Sequence, residues 1–306
     1  MVSSMVPIVH HPAYEFDIGP HVFPTRKYRL VLDRLARENT ISTNDVLAPR
    51  PVTDDDVRLV HTAEYVRKIN EDGLTLAERT ALEVPFSREL RDAMWLCAGG
   101  TLLTATLAMK HAVAVHIGGG FHHAFADHGE GFCLINDVAI ATAMLQRDGV
   151  VARVLVIDLD VHHGNGTASI FAGDPDVFTF SMHQQNNYPG WKPPGDRDVG
   201  LEDGTTDDEY HGLLERNLES ILSRHDAQLA FYLAGADPYA QDQLGGLGLS
   251  MQGLRRRDEI VYDLLRAAGI PVAVTLAGGY ASNTGDTVEI HCNTVRAAKT
   301  IQTPKT

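Results

Sequence analysis

Short apolar segments alternate with amphipathic segments along most of the chain. The apolar segments are rich in Val, Ile and Leu, and their continuous hydrophobicity is typical of strands buried on both faces of a parallel sheet. Six such strands are predicted, at Val6–Val9, Val113–Ile117, Val154–Leu159, Val177–Met182, Leu229–Leu233 and Val272–Leu276.

The segments between these strands carry apolar residues at helical spacing, as Tyr28, Leu32 and Leu35 do in the first of them. The predicted helices are Arg26–Arg37, Ser87–His111, Asp137–Arg147, Asp207–Arg224, Ser250–Ala268 and Thr284–Thr300. The Gly99-Gly100 pair is expected to bend or split the second helix.

Alternating strands and helices predict an α/β fold with a mainly parallel sheet flanked by helices. No linker, low-complexity segment or internal repeat interrupts the alternation, so residues 1–306 are predicted to form one domain. Glycine-rich segments follow strand candidates at Gly118–Gly120, Tyr188–Gly195, Gly245–Gly248 and Gly278-Gly279. Because ligands bind at the carboxyl ends of parallel strands, we expect the functional loops to lie along that edge.

Composition favours a globular protein with a large core, because 44% of the 306 residues are hydrophobic and 22% are charged. The net charge of −14 disfavours nonspecific nucleic-acid binding and would attract cationic substrates such as basic peptides or polyamines. A net charge of this size is equally typical of a protein whose acidic surface serves only to keep it soluble.

The cysteines at positions 97, 133 and 292 are too few and too dispersed for a disulfide framework or a cysteine-based zinc site. The first seven residues lack the pattern of a secretory signal, and every apolar run is too short to span a bilayer. These features predict a cytoplasmic protein that has no membrane partner.

Polar side chains after two predicted strands indicate a metal site. Asp158, Asp160 and His162 are two residues apart, so strand alternation would place them on one face. Asp237 follows the strand Leu229–Leu233 and a turn of small residues. Asp160, His162 and Asp237 would supply the three protein ligands that catalytic zinc usually has. The alternative for Asp160 alone is a helix N-cap or a salt bridge.

Two further strand ends carry candidate catalytic groups. His122 and His123 follow a strand and a glycine turn, where a histidine could take a proton from an activated water at neutral pH. Asp158 and Asn165 could orient the two rings. Tyr280 follows another strand and could donate a hydrogen bond to a developing oxyanion. Outside this context, the histidine pair would more often be structural or exposed, and the tyrosine a packing residue.

Phe132 and Tyr188 are candidates for the wall of a substrate channel. Both aromatic rings stand beside loops, where they could line the narrow apolar channel that a linear alkyl substituent requires. Each would serve equally well as a core residue, so both interpretations stay open.

Together these motifs resemble the histone deacetylase superfamily. The matching segments, in the family's order, are Gly118–His123, Gly131–Cys133, Asp158–Gly166, Gly235–Asp237 and Gly278–Tyr280. The resemblance extends from about Val9 to Ala298, and Asn165 with the Asn187–Pro189 turn makes it most similar to the bacterial and class IV branch. It implies an arginase/deacetylase-type α/β fold with an eight-stranded sheet.

The resemblance also implies roles for the site residues. The zinc ligands would be Asp160, His162 and Asp237. The catalytic groups would be the base His123, its electrostatic partner His122, their hydrogen-bond partners Asp158 and Asn165, and the carbonyl-polarising Tyr280. The tunnel wall would contain Gly131, Phe132, Tyr188 and Leu244.

Two structural potassium sites and a substrate-clamping acid are further implications of the resemblance. The first potassium site would use Asp158, Asp160, His162, Ser181 and Met182, partly through main-chain oxygens. The second would use Phe171, Asp174 and Val177. The clamping acid would be Asp17 or a residue near Glu83.

Asn165 stands where class I enzymes of the family have an aspartate. The base His123 therefore lacks a charged partner, and its pKa is expected to be lower than an aspartate would make it. Replacing Asn165 by Asp is accordingly expected to move the acidic limb of the pH–rate profile.

The function implied by the resemblance is a zinc-dependent amidohydrolase that removes an acetyl or longer acyl group from the lysine side chain of a protein or peptide. An alternative substrate is a small acetylated amine such as an acetylpolyamine. More distant alternatives are a dinuclear manganese hydrolase of the arginase type and an inactive module that binds acyl-lysine. No direct nucleic-acid partner is expected, and an oligomer is compatible with the sequence.

Overall fold

Eight parallel strands form one sheet in the computed structural model, which describes residues 6–301. In chain order they are β1 (Ile8–Val9), β2 (Val46–Leu47), β3 (Val113–His116), β4 (Val154–Asp158), β5 (Val177–Gln184), β6 (Arg197–Leu201), β7 (Leu229–Leu233) and β8 (Val272–Thr275). Their order across the sheet is β2-β1-β3-β8-β7-β4-β5-β6. The predicted α/β fold with an eight-stranded parallel sheet is confirmed.

The described residues also form ten α-helices. They are α1 (Lys27–Arg37), α2 (Asp54–Val57), α3 (Ala63–Asn70), α4 (Leu76–Leu82), α5 (Arg88–His111), α6 (Asp137–Arg147), α7 (Asn165–Ile170), α8 (Asp207–Leu222), α9 (Met251–Ala268) and α10 (Thr284–Ile301). Between residues 6 and 301, no helix has the length and apolar character needed to cross a membrane. The first five residues, part of the segment without a predicted secretory signal, lie outside the described chain.

Helices cover both faces of the sheet, so its central strands are buried on both sides. Helix α6 and the second half of α5 pack on one face, against side chains such as Phe231 and Ala273. Helices α8, α9 and α10 cover the other face, which carries the neighbouring Tyr232 and Val274. Successive strand residues point to opposite faces, which explains why these strands are continuously apolar in sequence.

Two strands and four short helices lie outside the sequence predictions. Strand β2 has only two residues, and β6 forms a sheet edge where three of its five residues are exposed, so neither contains a long apolar run. Helices α2 and α4 begin with capping boxes at Thr53–Asp56 and Thr75–Glu78. These capping boxes are a sequence signal for a helix start that the hydrophobic pattern alone does not show.

The predicted split at Gly99-Gly100 is wrong, because α5 is one continuous helix. A Cβ atom at Gly99 would lie 1.8 Å from the main-chain oxygen of Arg50, and one at Gly100 would lie 2.4 Å from His116 Nε2. The two glycines therefore allow α5 to pack closely against a neighbouring loop and strand β3.

Candidate active site

Three side chains converge beyond the carboxyl ends of β4 and β7. Asp160 and His162 follow β4, Asp237 follows β7, and their potential ligand atoms all lie within 4.8 Å of one another. His162 Nδ1 is 3.0 Å from Asp160 Oδ1 and 3.4 Å from Asp237 Oδ2. All three side chains are buried. The fold thus brings together the residues that the sequence predicts as zinc ligands.

The segment after β4 is shaped by hydrogen bonds to carboxylates. Strand β4 ends at Asp158, so the prediction that strand alternation positions Asp160 and His162 is wrong. Instead, the main-chain N of Asp160 donates to Asp158 Oδ1 at 3.2 Å, and the main-chain N of His162 donates to Asp160 Oδ1 at 3.0 Å. Each carboxylate therefore fixes the backbone that presents the next polar side chain.

A buried arginine joins the two loops that carry these residues. Arg257 Nη1 donates to the main-chain oxygens of Leu159 at 3.2 Å and of Gly235 at 2.6 Å. The guanidinium charge is balanced by Asp258 Oδ1, which accepts from Nε at 3.0 Å and from Nη2 at 2.8 Å. Because the same side chain binds both loops, it fixes the spacing between the residues that follow β4 and β7.

The two neighbouring carboxylates make this cluster suitable for a cation. Burial opposes the ionisation of Asp237, and the repulsion from Asp160 adds to it, so the pKa of Asp237 is raised to about 7. Burial also raises the pKa of Asp160. The nearby His122 and His162 lower it by more, so the pKa of Asp160 lies well below its usual range. Asp237 Oδ2 is buried and has no hydrogen-bond partner. Two carboxylates and an imidazole around an unsatisfied oxygen fit a divalent ion such as zinc.

His122 and His123 lie side by side next to this cluster. His122 Nδ1 is 2.7 Å from Asp158 Oδ2, and His122 Nε2 is 3.0 Å from His123 Nε2. Burial alone would lower the pKa of His122, but Asp158 and Asp160 raise it to about 9. Burial and the neighbouring His122 and His162 hold the pKa of His123 well below its usual value. The carboxylates beside His122 thus favour its protonated ring, whereas burial and the neighbouring rings favour the neutral ring of His123.

Asn165 is the first residue of α7 and contacts the other side of the His123 ring. Its Oδ1 is 2.8 Å from His123 Nδ1, and its Nδ2 donates to Glu130 Oε1 at 2.5 Å. The hydroxyl of Tyr188 donates to the same carboxylate oxygen at 3.1 Å. The amide of Asn165 thus connects the His123 ring to the carboxylate of Glu130.

A narrow cavity of about 150 Å³ reaches these groups. Its lining consists of Glu83, His123, Gly131, Phe132, His162, Asn187, Tyr188, Leu244 and Tyr280. The four residues that the sequence predicts for the tunnel wall are all in this lining. A Cβ atom at Gly131 would lie 2.7 Å from His123 Cδ2 and 2.9 Å from Tyr188 Cε1, so a side chain there would collide with the walls.

One of the two acids expected near the substrate lines this cavity. Glu83 belongs to its lining, whereas Asp17 lines a separate cavity together with residues such as Pro20 and Thr25. Burial, followed by repulsion from Glu130, raises the pKa of Glu83. Of the two, Glu83 is therefore the acid in position to meet a substrate that enters the cavity.

Tyr280 lines the same cavity, with its ring centroid 6.4 Å from that of His162. Burial and the nearby Asp160 and Asp237 raise the pKa of its hydroxyl well above the usual value. The hydroxyl therefore keeps its proton and can act as a hydrogen-bond donor. The main-chain N of Tyr280 donates to Asp242 Oδ2 at 2.6 Å, which fixes the backbone of this turn.

Sequence reasoning missed three charged side chains close to the site, which are Lys27, Glu130 and Asp242. Lys27 Nζ donates to the main-chain oxygen of Ala277 at 2.7 Å and lies 5.6 Å from the ring centroid of Tyr280. Burial lowers the pKa of Lys27 to about 8. No local signal marks this lysine, since lysines in amphipathic helices are ordinarily exposed. Glu130, in contrast, has a local sequence signal, because it directly precedes the Gly131–Cys133 motif.

The residues expected to bind potassium lie on β4, on β5 and in the loop between them. Asp158 pairs with Ser181 in the ladder between β4 and β5, and Met182 follows on β5. The main-chain N of Asp174 donates to the main-chain oxygen of Phe171 at 3.0 Å in the loop after α7. Both potassium sites stay predictions.

A second group of potential metal ligands in the described chain comprises His163, His183 and Asp198. Asp198 Oδ1 lies 3.3 Å from His163 Nε2, and Asp198 Oδ2 accepts from the main-chain N of Gly195 at 2.7 Å. His183 Nδ1 lies 3.0 Å from Ser181 Oγ. Unlike Asp237, this carboxylate has a contact at each oxygen, whereas His163 Nδ1 is buried without a hydrogen-bond partner.

Comparisons with known proteins point to one family. The histone deacetylase domain matches residues 21–295. An uncharacterized protein from a Picosynechococcus strain is 42% identical over 96% of this chain and 99% of its own. Histone deacetylase 2 of Arabidopsis thaliana is 29% identical over 90% of this chain and 75% of its own. The crystal structure of an HDAC homolog from Aquifex aeolicus has a TM-score of 0.79 and 25% identity, covering 94% of this chain and 84% of that one.

Proposed function

The chain belongs to the histone deacetylase family, and we propose that it is a zinc-dependent hydrolase that removes an acetyl or longer acyl group from the lysine side chain of proteins or peptides. One observation carries the proposal. His162 of the cluster suited to a cation, the neutral imidazole of His123 and the phenol of Tyr280 line the same narrow cavity. These are the groups needed to polarise an amide carbonyl and to activate water against it.

Asp160, His162 and Asp237 would hold the zinc ion through two carboxylates and one imidazole. When bound, zinc supplies Lewis-acid polarisation to the amide carbonyl and to a water molecule. Its charge would also offset the repulsion between the two buried carboxylates.

The remaining steps belong to the side chains of the cavity. His123 would take a proton from the attacking water at Nε2, since its Nδ1 faces Asn165. The Tyr280 hydroxyl would donate a hydrogen bond to the carbonyl oxygen as that oxygen gains negative charge. The protonated His122, held by Asp158, would stabilise the same charge, and a histidine would then protonate the leaving amine. Because water is the nucleophile, no covalent acyl-enzyme is expected.

The proposal is tested by comparing kcat/KM over lysine peptides of increasing acyl length. We expect turnover that a chelator abolishes and zinc restores. His123→Ala should lower kcat by about a hundredfold to ten-thousandfold while the protein keeps its metal. His225→Ala is a suitable control, because this ring contacts Val154 at the opposite edge of the sheet. Near-normal turnover by the His123 variant would contradict the mechanism.

A small acetylated amine is a second candidate substrate. Glu83 in the cavity lining and the net charge of −14 would both attract a cationic amine. Including acetylated polyamines in the same series decides between the two substrate classes, because the better substrate has the higher kcat/KM.

The same preparation distinguishes the more distant alternatives. Two manganese ions per chain, measured by elemental analysis, would favour a dinuclear hydrolase of the arginase type. Tight binding of an acyl-lysine peptide without any turnover would favour an inactive binding module. One zinc ion per chain together with chelator-sensitive turnover agrees with the proposal.

A further inference from the structure

Glu130 lies behind the candidate catalytic residues and outside the cavity lining. Its Oε1 accepts hydrogen bonds from Asn165 Nδ2 at 2.5 Å and from the Tyr188 hydroxyl at 3.1 Å. Its Oε2 is 3.6 Å from His128 Nε2. The side chain is partly buried, and none of these contacts involves a residue of the metal cluster.

The carboxylate of Glu130 determines which way the Asn165 amide faces. An ionised carboxylate only accepts hydrogen bonds, so the atom of Asn165 that faces it must be the donor Nδ2. The amide oxygen is then the atom that faces His123 Nδ1 at 2.8 Å. An amide oxygen only accepts, and His123 Nδ1 must therefore carry the proton.

The opposite side of the His123 ring leads to the complementary conclusion. Asp158 accepts from His122 Nδ1, and the remaining nitrogen of that ring, Nε2, lies 3.0 Å from His123 Nε2. A neutral His123 ring that carries its proton on Nδ1 has its lone pair on Nε2, the nitrogen on the side of the metal cluster and His122. The contacts run from Glu130 through Asn165, His123 and His122 to Asp158, so a carboxylate stands at each end.

We propose that Glu130 is a positioning residue that fixes the tautomer of His123 through the Asn165 amide. This inference rests on the proposed function, in which His123 Nε2 takes a proton from water. Without Glu130, the Asn165 amide is free to rotate and present Nδ2 to the imidazole. His123 Nδ1 would then have to accept, the proton would move to Nε2, and the basic lone pair would be lost from the reacting side.

The same contact explains why an amide suits position 165. An aspartate there would place its carboxylate against that of Glu130, where two negative charges would repel each other. Asparagine avoids this repulsion and still offers an oxygen to His123. An exchange of the two groups, with glutamine at 130 and aspartate at 165, would preserve one donor and one acceptor.

The test uses four variants of the zinc-loaded enzyme: Glu130→Ala, Glu130→Gln, Asn165→Asp and the double variant Glu130→Gln/Asn165→Asp. Glu130→Ala should lower kcat by about tenfold to a hundredfold, with KM and zinc content nearly unchanged. Glu130→Gln should lower kcat less than Glu130→Ala does, because its amide oxygen can still accept from Asn165 but its amide nitrogen can also face that residue. Asn165→Asp alone should be impaired, and the double variant should recover most of the lost kcat.

The tautomer itself is measured by long-range proton–nitrogen NMR on protein with labelled histidines. We expect the signature of an Nδ1-protonated neutral ring for His123 in the wild type, and its loss or mixing in Glu130→Ala. Because this measurement needs no turnover, it decides the inference even if the enzyme assay finds no deacylase activity. If the enzyme shows no turnover but His123 has the expected tautomer, the proposed function is refuted. The role of Glu130 in fixing that tautomer would still stand.

Two results would overturn the inference. One is a Glu130→Ala variant with wild-type kcat and an unchanged Nδ1–H signature. The other is a double variant that is no more active than Asn165→Asp. Glu71→Ala serves as the control, because Glu71 is an exposed glutamate that pairs with Arg67 on a surface helix. It should leave kcat and the histidine signals unchanged.

Discussion

At the scale of single residues, the environment of the site drives two adjacent histidines toward opposite states of protonation. His122 and His123 have the same side chain and are 3.0 Å apart through their Nε2 atoms. A carboxylate behind the first raises its pKa, whereas burial and neighbouring rings lower the pKa of the second. The acid and base roles proposed for the pair would thus be separated by environment rather than by residue type.

Glu83 should affect the binding of charged substrates more than the chemical step. Glu83→Gln removes a negative charge from the cavity lining, so KM for an acetylated polyamine should rise by about two- to fivefold, the size of an exposed ion pair. KM for an uncharged acyl-amide should hardly change, and kcat should be similar for both. Steady-state kinetics measure the difference, and an equal effect on both substrates would contradict it.

The sequence predicted the groups that stand in motifs after strands and missed those that only tertiary packing brings to the site. Asp160, His162 and Asp237 stand in short motifs after strands, where a reader expects ligands. Lys27 meets Ala277 across 250 positions, so no local pattern reveals that it is buried. The role of such a residue depends on tertiary packing, which single-sequence patterns do not contain.

At the scale of secondary structure, the elements with a buried apolar face were predictable, and those that depend on their neighbours were not. The central strands were predicted to within two residues at their ends because they are continuously apolar. The edge strand β6 and the four short helices have no comparable pattern. The glycine pair in α5 shows the opposite error, since it was interpreted as a break and instead permits close packing.

Gly99→Ala should destabilise the protein, although alanine favours helices. The added Cβ would meet the backbone oxygen of Arg50, which cannot move without shifting a loop, and we expect a loss of about 2 kcal/mol. Urea unfolding with excess zinc measures this change. Gly212→Ala in α8 is the matched control, because the nearest atom is the flexible end of Arg216 at 3.1 Å. That variant should gain up to about 1 kcal/mol, and equal effects of both would contradict the explanation.

Glu78 should stabilise α4 in a manner that depends on pH. A hydrogen bond from Lys68 and one from the main-chain N of Thr75 lower the pKa of Glu78 from 4.5 to about 2. Because the folded pKa is the lower one, the stabilisation is present above pH 4.5 and is lost as the pH falls toward 2. Glu78→Gln should therefore be less stable than wild type by about 0.5 kcal/mol at neutral pH.

The measurement is a comparison of unfolding midpoints at pH 7 and near pH 3, where the difference between wild type and Glu78→Gln should shrink. Acid release of a metal would affect both proteins equally, so the difference isolates the glutamate. A gap that stays constant between the two conditions would show that the carboxylate charge contributes nothing.

At the scale of the whole molecule, the central strands β3, β8, β7 and β4 bring distant parts of the chain to one edge. The polar residues that follow three of these strands, His123, His162 and Tyr280, lie far apart in the chain yet line one cavity. Parallel pairing places every carboxyl end on the same side, which makes this convergence a consequence of topology. Arg257 then sets the local spacing between two of the loops.

Zinc should stabilise the whole fold, because the site contains two buried carboxylates that need a counter-charge. At a free zinc concentration one hundred times the dissociation constant, linkage predicts a gain of about 3 kcal/mol, seen as a higher melting temperature. Asp237→Asn should change how the stability of the fold depends on zinc. Without metal it should be more stable than wild type, because the repulsion with Asp160 is removed, but added zinc should stabilise it far less. Calorimetry with and without chelator checks both results.

The contact between Glu130 and Asn165 also restricts the order in which this site can mutate during evolution. A direct change from asparagine to aspartate at 165 would pass through a state with two facing carboxylates. A lineage that acquires the aspartate is therefore expected to have replaced Glu130 first, or to carry a donor there. The two positions should covary among descendants of this protein, although 35 residues separate them in the chain.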